Sequence, residues 1–196
     1  TVGSLMGTSY SDTYSFLHRV HFDTLRVQIE NFLSASEGYY ASRLGKFSRL
    51  LVGLDSTEVR EWDVPRLLRG EVFDGFFPEG KSLSVLKRTL LGLGIDLKKH
   101  RNIVIDSEDR PNKSAFPFCI APSVPGEVHL VLRPHGGLLD YLVLLHETGH
   151  ALLKAYTSPD SPFEYRFLGD EAVGRTYGFL FQYLSVNEEW LTDFLK

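Results

Sequence analysis

Residues 135–156 read HGGLLDYLVLLHETGHALLKAY. Gly136 and Gly137 stand before a strongly apolar run, and Pro159 and Pro162 follow it, so the run predicts one helix with breakers on both sides. Inside it His146 and His150 are four positions apart, with Glu147 between them. Positions i and i+4 of a helix share a face one turn apart, so both imidazoles can be aimed at a single point, which suits a tetrahedral zinc ion. Glu147, beside the first of them, is placed to take a proton from a water held there and act as general base.

The plainer reading is a chance match. With seven histidines in 196 residues, a stray HExxH arises on the order of a few percent of the time. The flanking Leu142, Val143, Leu144, Leu145, Ala151, Leu152 and Leu153 cover nearly every side of the helix and predict a segment buried all round. Burying an ionised glutamate and two imidazoles without partners is costly, and a metal supplies the partner.

A catalytic zinc takes three protein ligands, so a third is required. Glu171, near the start of the next predicted helix, is the leading candidate, because TSPDSPFEYRFLG lets the chain turn and come back antiparallel. An acid in the first turn of a helix is also favoured for its own sake. Asp170 is its rival, or a carboxylate that orients a histidine N–H; Glu164 falls within the loop. Oxyanion or substrate contacts fall to Tyr165, Tyr177 or His135, each of which is otherwise a packing or loop residue. Arg133 and Lys113 read as solvated charges that could instead meet a peptide carboxylate, and Cys119 as a small buried hydrophobe on a strand.

Upstream the chain reads as a helical scaffold over residues 1–100. SDTYSFLHRVHFDTLRVQIENFLSAS predicts a long amphipathic helix, GYYASRLGKFSRLLVGL a second, STEVREWDVPRLLRG a short one and SLSVLKRTLLGLG another. Residues 101–196 then carry NIVID, a strand-like run, and SAFPFCIAPSVPGEVHLVLRP, a hairpin whose first strand Pro117 consigns to a sheet edge. The zinc-binding helices follow, and Asn187 caps the last. The fold class expected is mainly α (α+β), a helical metallopeptidase-like domain spanning residues 1–196, whole or as a piece of a longer chain.

Composition narrows the functional classes. Apolar residues make up 43% of the chain, and 21 basic against 25 acidic residues give a net charge of −4, so no basic footprint for nucleic acid or anionic membrane stands out. No apolar run reaches the roughly 20 residues that span a bilayer. One cysteine and no opening signal-like segment favour a cytoplasmic setting.

The segment DRPNKSAFPFCIAPSVPGEVHLVLRP followed by LLHETGHALL resembles the catalytic domain of the thimet oligopeptidase and oligoendopeptidase F family of zinc metallopeptidases. In that family an acidic residue and a basic, small-residue "AF" stretch form an edge strand before a HExGHAL helix. Asp106 or Asp109, Lys113, Ala115 and Phe116 carry the first part here, and His146, Glu147, Gly149, His150, Ala151 and Leu152 the second. The likeness extends over residues 60–196. Leu153 stands where the family often has a further histidine, and the family's ligand glutamate lies somewhat farther on than Glu171.

The resemblance implies a zincin fold of the HExxH type with a glutamate as third ligand. One zinc would be held by His146, His150 and Glu171, with Glu147 as general base. Short extended peptides laid along the edge strand would be its substrates. A zinc-binding regulatory or peptide-binding module of the same fold, without turnover, is the alternative.

Overall fold

The computed structural model describes residues 9–195, and the chain divides into two compact units, Thr1–Leu67 and Leu68–Lys196. Among the described residues it is mainly helical, with one small three-stranded sheet. No helix among them is long and apolar enough to cross a membrane.

The first unit is built on α1 (Tyr10–His18) and α2 (Phe22–Val52). Ser9 caps α1 in a reciprocal box with Asp12. The chain breaks at Arg19, which takes a left-handed conformation (φ 53°), and not near Gly38, where the sequence suggested two separate helices. A single glycine costs a helix interior only about 1 kcal/mol. Long, continuous propensity on either side of Gly38 outweighs that.

Along α2, Phe22, Leu25, Ile29, Leu33, Tyr40, Leu44, Phe47 and Leu51 recur with an eleven-residue period, close to the helical repeat, so they form one straight stripe. Much of this stripe stays open, with Leu33 at 59% and Tyr40 at 63% exposure.

The second unit holds the core. α3 (Val64–Arg69) leads into it through a helical start in which Pro65 occupies the first turn, where no N–H is needed. α4 (Ser82–Gly92) buries Val85, Leu86 and Leu90. The strands β1 (Ile103–Asp106), β2 (Phe118–Ser123) and β3 (Glu127–Val131) run in the order β1-β3-β2. β3 pairs parallel with β1 and antiparallel with β2, so the hairpin forms as expected and β2 is an edge strand, with Pro122 inside its register shift. Val128, Leu130 and Leu132 of the central strand and its exit are buried beneath α5 (Leu138–Ala155).

The start of α5 is fixed from outside the helix. Gly136 and Gly137 have φ of 80° and 86°, a conformation other residues rarely adopt. A Cβ on Gly137 would come 2.7 Å from Asp74 Oδ1. That same carboxylate accepts the Leu138 N–H at 2.9 Å, satisfying one free donor of the first turn. At the other end Asn102 Nδ2 donates to the Ala155 carbonyl and to that of Pro125, joining β1, the hairpin turn and the helix.

α6 (Phe163–Phe167) makes the turn, and α7 (Glu171–Gln182) returns alongside α5, with Asp170 as its N-cap. α8 (Glu188–Phe194) follows, capped by Asn187. Its Trp190 is buried and donates its indole N–H to Thr89 of α4.

Candidate metal centre

The two histidines sit where the core helix meets its antiparallel neighbour. α5 and α7 approach backbone to backbone: a Cβ on Gly149 would lie 2.2 Å from the Tyr177 carbonyl oxygen, and one on Gly178 would lie 2.6 Å from the His146 ring. Glycine at both positions is therefore a condition of the close crossing. His146 also packs edge-on against Phe179 at 5.1 Å between ring centres.

That approach aims the imidazoles. His146 Nε2 and His150 Nε2 are 3.2 Å apart. Two nitrogens each about 2.0–2.1 Å from one tetrahedral ion would be about 3.3–3.4 Å apart, so the pair already has nearly the required spacing. His146 Nδ1 lies 2.8 Å from Gln182 Oε1. A carbonyl oxygen only accepts, so Nδ1 carries a proton, which leaves Nε2 as the nitrogen that a neutral ring would offer to a metal. Burial, with the nearby Arg175 and Lys154 cations adding to it, lowers the His150 pKa despite the opposing pull of Glu147. The neutral, ligating form is favoured.

Glu147 points toward the sheet. Its Oε2 accepts the backbone N–H of Cys119 on edge strand β2 at 2.9 Å, which ties the motif helix to that edge. The expected burial all round is not what the helix adopts. Leu144, Leu145, Thr148, Gly149, Ala151 and Leu152 are buried, while His146, Glu147 and His150 share a half-open face.

The other predicted residues are placed unevenly. Glu171 lies in the first turn of α7, and its Oε1 accepts from Arg175 Nε at 3.0 Å and Nη2 at 2.7 Å. It lines a cavity of about 600 Å³ together with His150, Tyr165, Lys154, Arg166 and Asp170. Among the described residues no three His, Cys, Asp or Glu side chains already converge as a metal-binding group. The two imidazoles converge, and Glu171, which lines the same cavity as His150, is engaged by Arg175.

Asp170 caps α7 by accepting the Ala172 N–H at 2.8 Å. Tyr165 shares the His150 cavity, whereas Tyr177 lines a different one with Leu152, Tyr156 and Phe181. His135 precedes α5, and the eight helical steps from Leu138 to His146 rise about 12 Å.

Lys113, expected as a solvated charge, is 2% exposed. It donates to Asp106 Oδ1 and to the carbonyls of Asp106 and Glu108, so it anchors the loop after β1. Arg133 pairs with Asp109 at 2.8 Å. Cys119 is half-buried, and burial pushes its pKa up to about 11.

Sequence reasoning missed Gln182, Arg175 and the glycines facing the histidines. The spacing of Gly174, Gly178 and Gln182 at four-residue steps was the available trace, since it marks one face of α7 with small residues and one polar acceptor. Against family models, curated proteins and solved structures, the chain finds no match.

Proposed function

We propose that this chain is a zinc-dependent peptidase acting on short peptides. The observation that supports it most is the 3.2 Å separation of His146 Nε2 and His150 Nε2, with Glu147 on the same half-open face. His146, His150 and Glu171 would hold one zinc ion. When bound, zinc supplies Lewis-acid polarisation of a scissile carbonyl and acidifies water at neutral pH.

The remaining work falls to the chain's own groups. With Oε2 of Glu147 held by the Cys119 amide, Oε1 takes a proton from the attacking water and delivers it to the leaving amine. β2, an edge strand with Phe118 and Ile120 turned partly outward, offers a line along which an extended peptide adds as a further strand. Gln182 keeps the His146 lone pair pointed at the metal position.

The pairing of Glu171 with Arg175 favours a second reading, a peptide-binding module that holds metal without turnover. Zinc content of the purified chain and cleavage of quenched fluorescent peptides test both. One zinc per chain, lost in His146→Ala, with cleavage abolished in Glu147→Gln while zinc is kept, supports the peptidase. Zinc and peptide binding without cleavage selects the second reading, and a chain that takes up no zinc overturns both.

A further inference from the structure

The proposed zinc site raises the question of how its third ligand is reached, and this inference rests on that reading. α7 meets the imidazoles along one stripe. A Cβ on Gly174 would lie 3.4 Å from the His150 ring, a Cβ on Gly178 would press on His146, and Gln182 bonds His146 Nδ1. At 3.6 residues per turn Glu171 falls on this stripe, three residues before Gly174. The stripe therefore offers two glycines, one amide and, at its N-terminal end, one carboxylate.

That carboxylate is already paired within α7. Both bonds from Arg175 go to its Oε1, and the side chain is 76% exposed.

We infer that Arg175 is a latch on the metal centre: it competes with the ion for Glu171 and so sets the affinity of the site. Loading requires Glu171 to leave Arg175 and turn along its own stripe toward His150. An exposed i,i+4 ion pair is a weak contact, so the latch is worth about twofold in affinity and is reversible.

The test is zinc affinity of the full chain, measured by competition with a chromophoric chelator, with circular dichroism confirming the fold of each variant. Arg175→Gln is expected to tighten zinc by about twofold and Glu171→Gln to weaken it by about tenfold or more. In the double variant the gain from Arg175→Gln should largely vanish, because there is no carboxylate left to release. An unchanged affinity in Arg175→Gln overturns the latch. So does an equal gain with and without Glu171, which would make Arg175 a bystander charge. If neither the parent chain nor Arg175→Gln binds zinc more tightly than His146→Ala, the metal reading itself fails, and the latch with it.

Discussion

His146 Nδ1 and Gln182 Oε1 lie 2.8 Å apart across the α5–α7 crossing. The bond places a proton on Nδ1, and so couples the last turn of α7 to the proposed metal position on α5. Replacing Gln182 with Leu removes the acceptor while keeping the bulk. Zinc affinity is expected to fall about 10- to 100-fold with little change in folding, as read by chelator competition. Unaltered affinity would leave Gln182 as packing only.

Gly149 and Gly174 make a matched pair for stability. Alanine at Gly149 drives a methyl group into the Tyr177 carbonyl at 2.2 Å, and backbone cannot step aside as a side chain can. Gly149→Ala is expected to destabilise by about 1–3 kcal/mol or more, lowering the thermal midpoint by several degrees. At Gly174 the added methyl would meet the His150 ring at an ordinary 3.4 Å, and the helix gains up to about 1 kcal/mol of propensity. Thermal melts of the two variants should therefore shift unequally, with Gly149→Ala far lower.

Asp106 links folding to pH. Hydrogen bonds from Arg110, then from Lys113, hold its carboxyl well below the usual carboxylate range. The unfolded chain, with an ordinary carboxyl, binds a proton first as pH falls, so the stabilisation is complete above about pH 4 and drains away below it. Urea midpoints at pH 5, 4 and 3 should drop more steeply for the parent chain than for Asp106→Asn. The variant should already be weaker at neutral pH, because Lys113, 2% exposed, loses its counter-charge. Parallel pH curves would count against this assignment.

Cys119 should resist thiol reagents. With its pKa at about 11, its thiolate at pH 8 is on the order of a thousandth of the population. Iodoacetamide labelling of the folded chain is expected to be at least about a hundredfold slower than that of the same chain in urea, where the thiol regains an ordinary pKa. Equal rates would mean that the strand edge beside Glu147 opens freely.

What the sequence determined by itself was local and periodic. The apolar run at residues 138–155, its glycine entry and the four-residue spacing of His146 and His150 specify a helix with both rings on one face, whatever packs against it. The hairpin followed in the same way from its alternating runs, and its first strand lies at an edge as expected, although Pro117 precedes that strand and the proline within it is Pro122. Even there the helix ends were set by contest: α2 runs through Gly38 because neighbouring propensity outweighs one glycine, and the chain turns at Arg19 instead.

Only the tertiary structure decided what surrounds the motif. Nothing in the spacing within α5 says that Gly178 lets α7 approach, that Gln182 ends up on His146 Nδ1, or that Lys113 is buried against Asp106. Glu171 could be read from the sequence as an acid of the right kind, yet its partner in the fold is Arg175, one turn along its own helix. The physical reason is one of range. A helix periodicity fixes neighbours within a few residues, whereas the register of one helix against another depends on where two backbones can come within contact distance, and here two glycines 29 positions apart in sequence settle it.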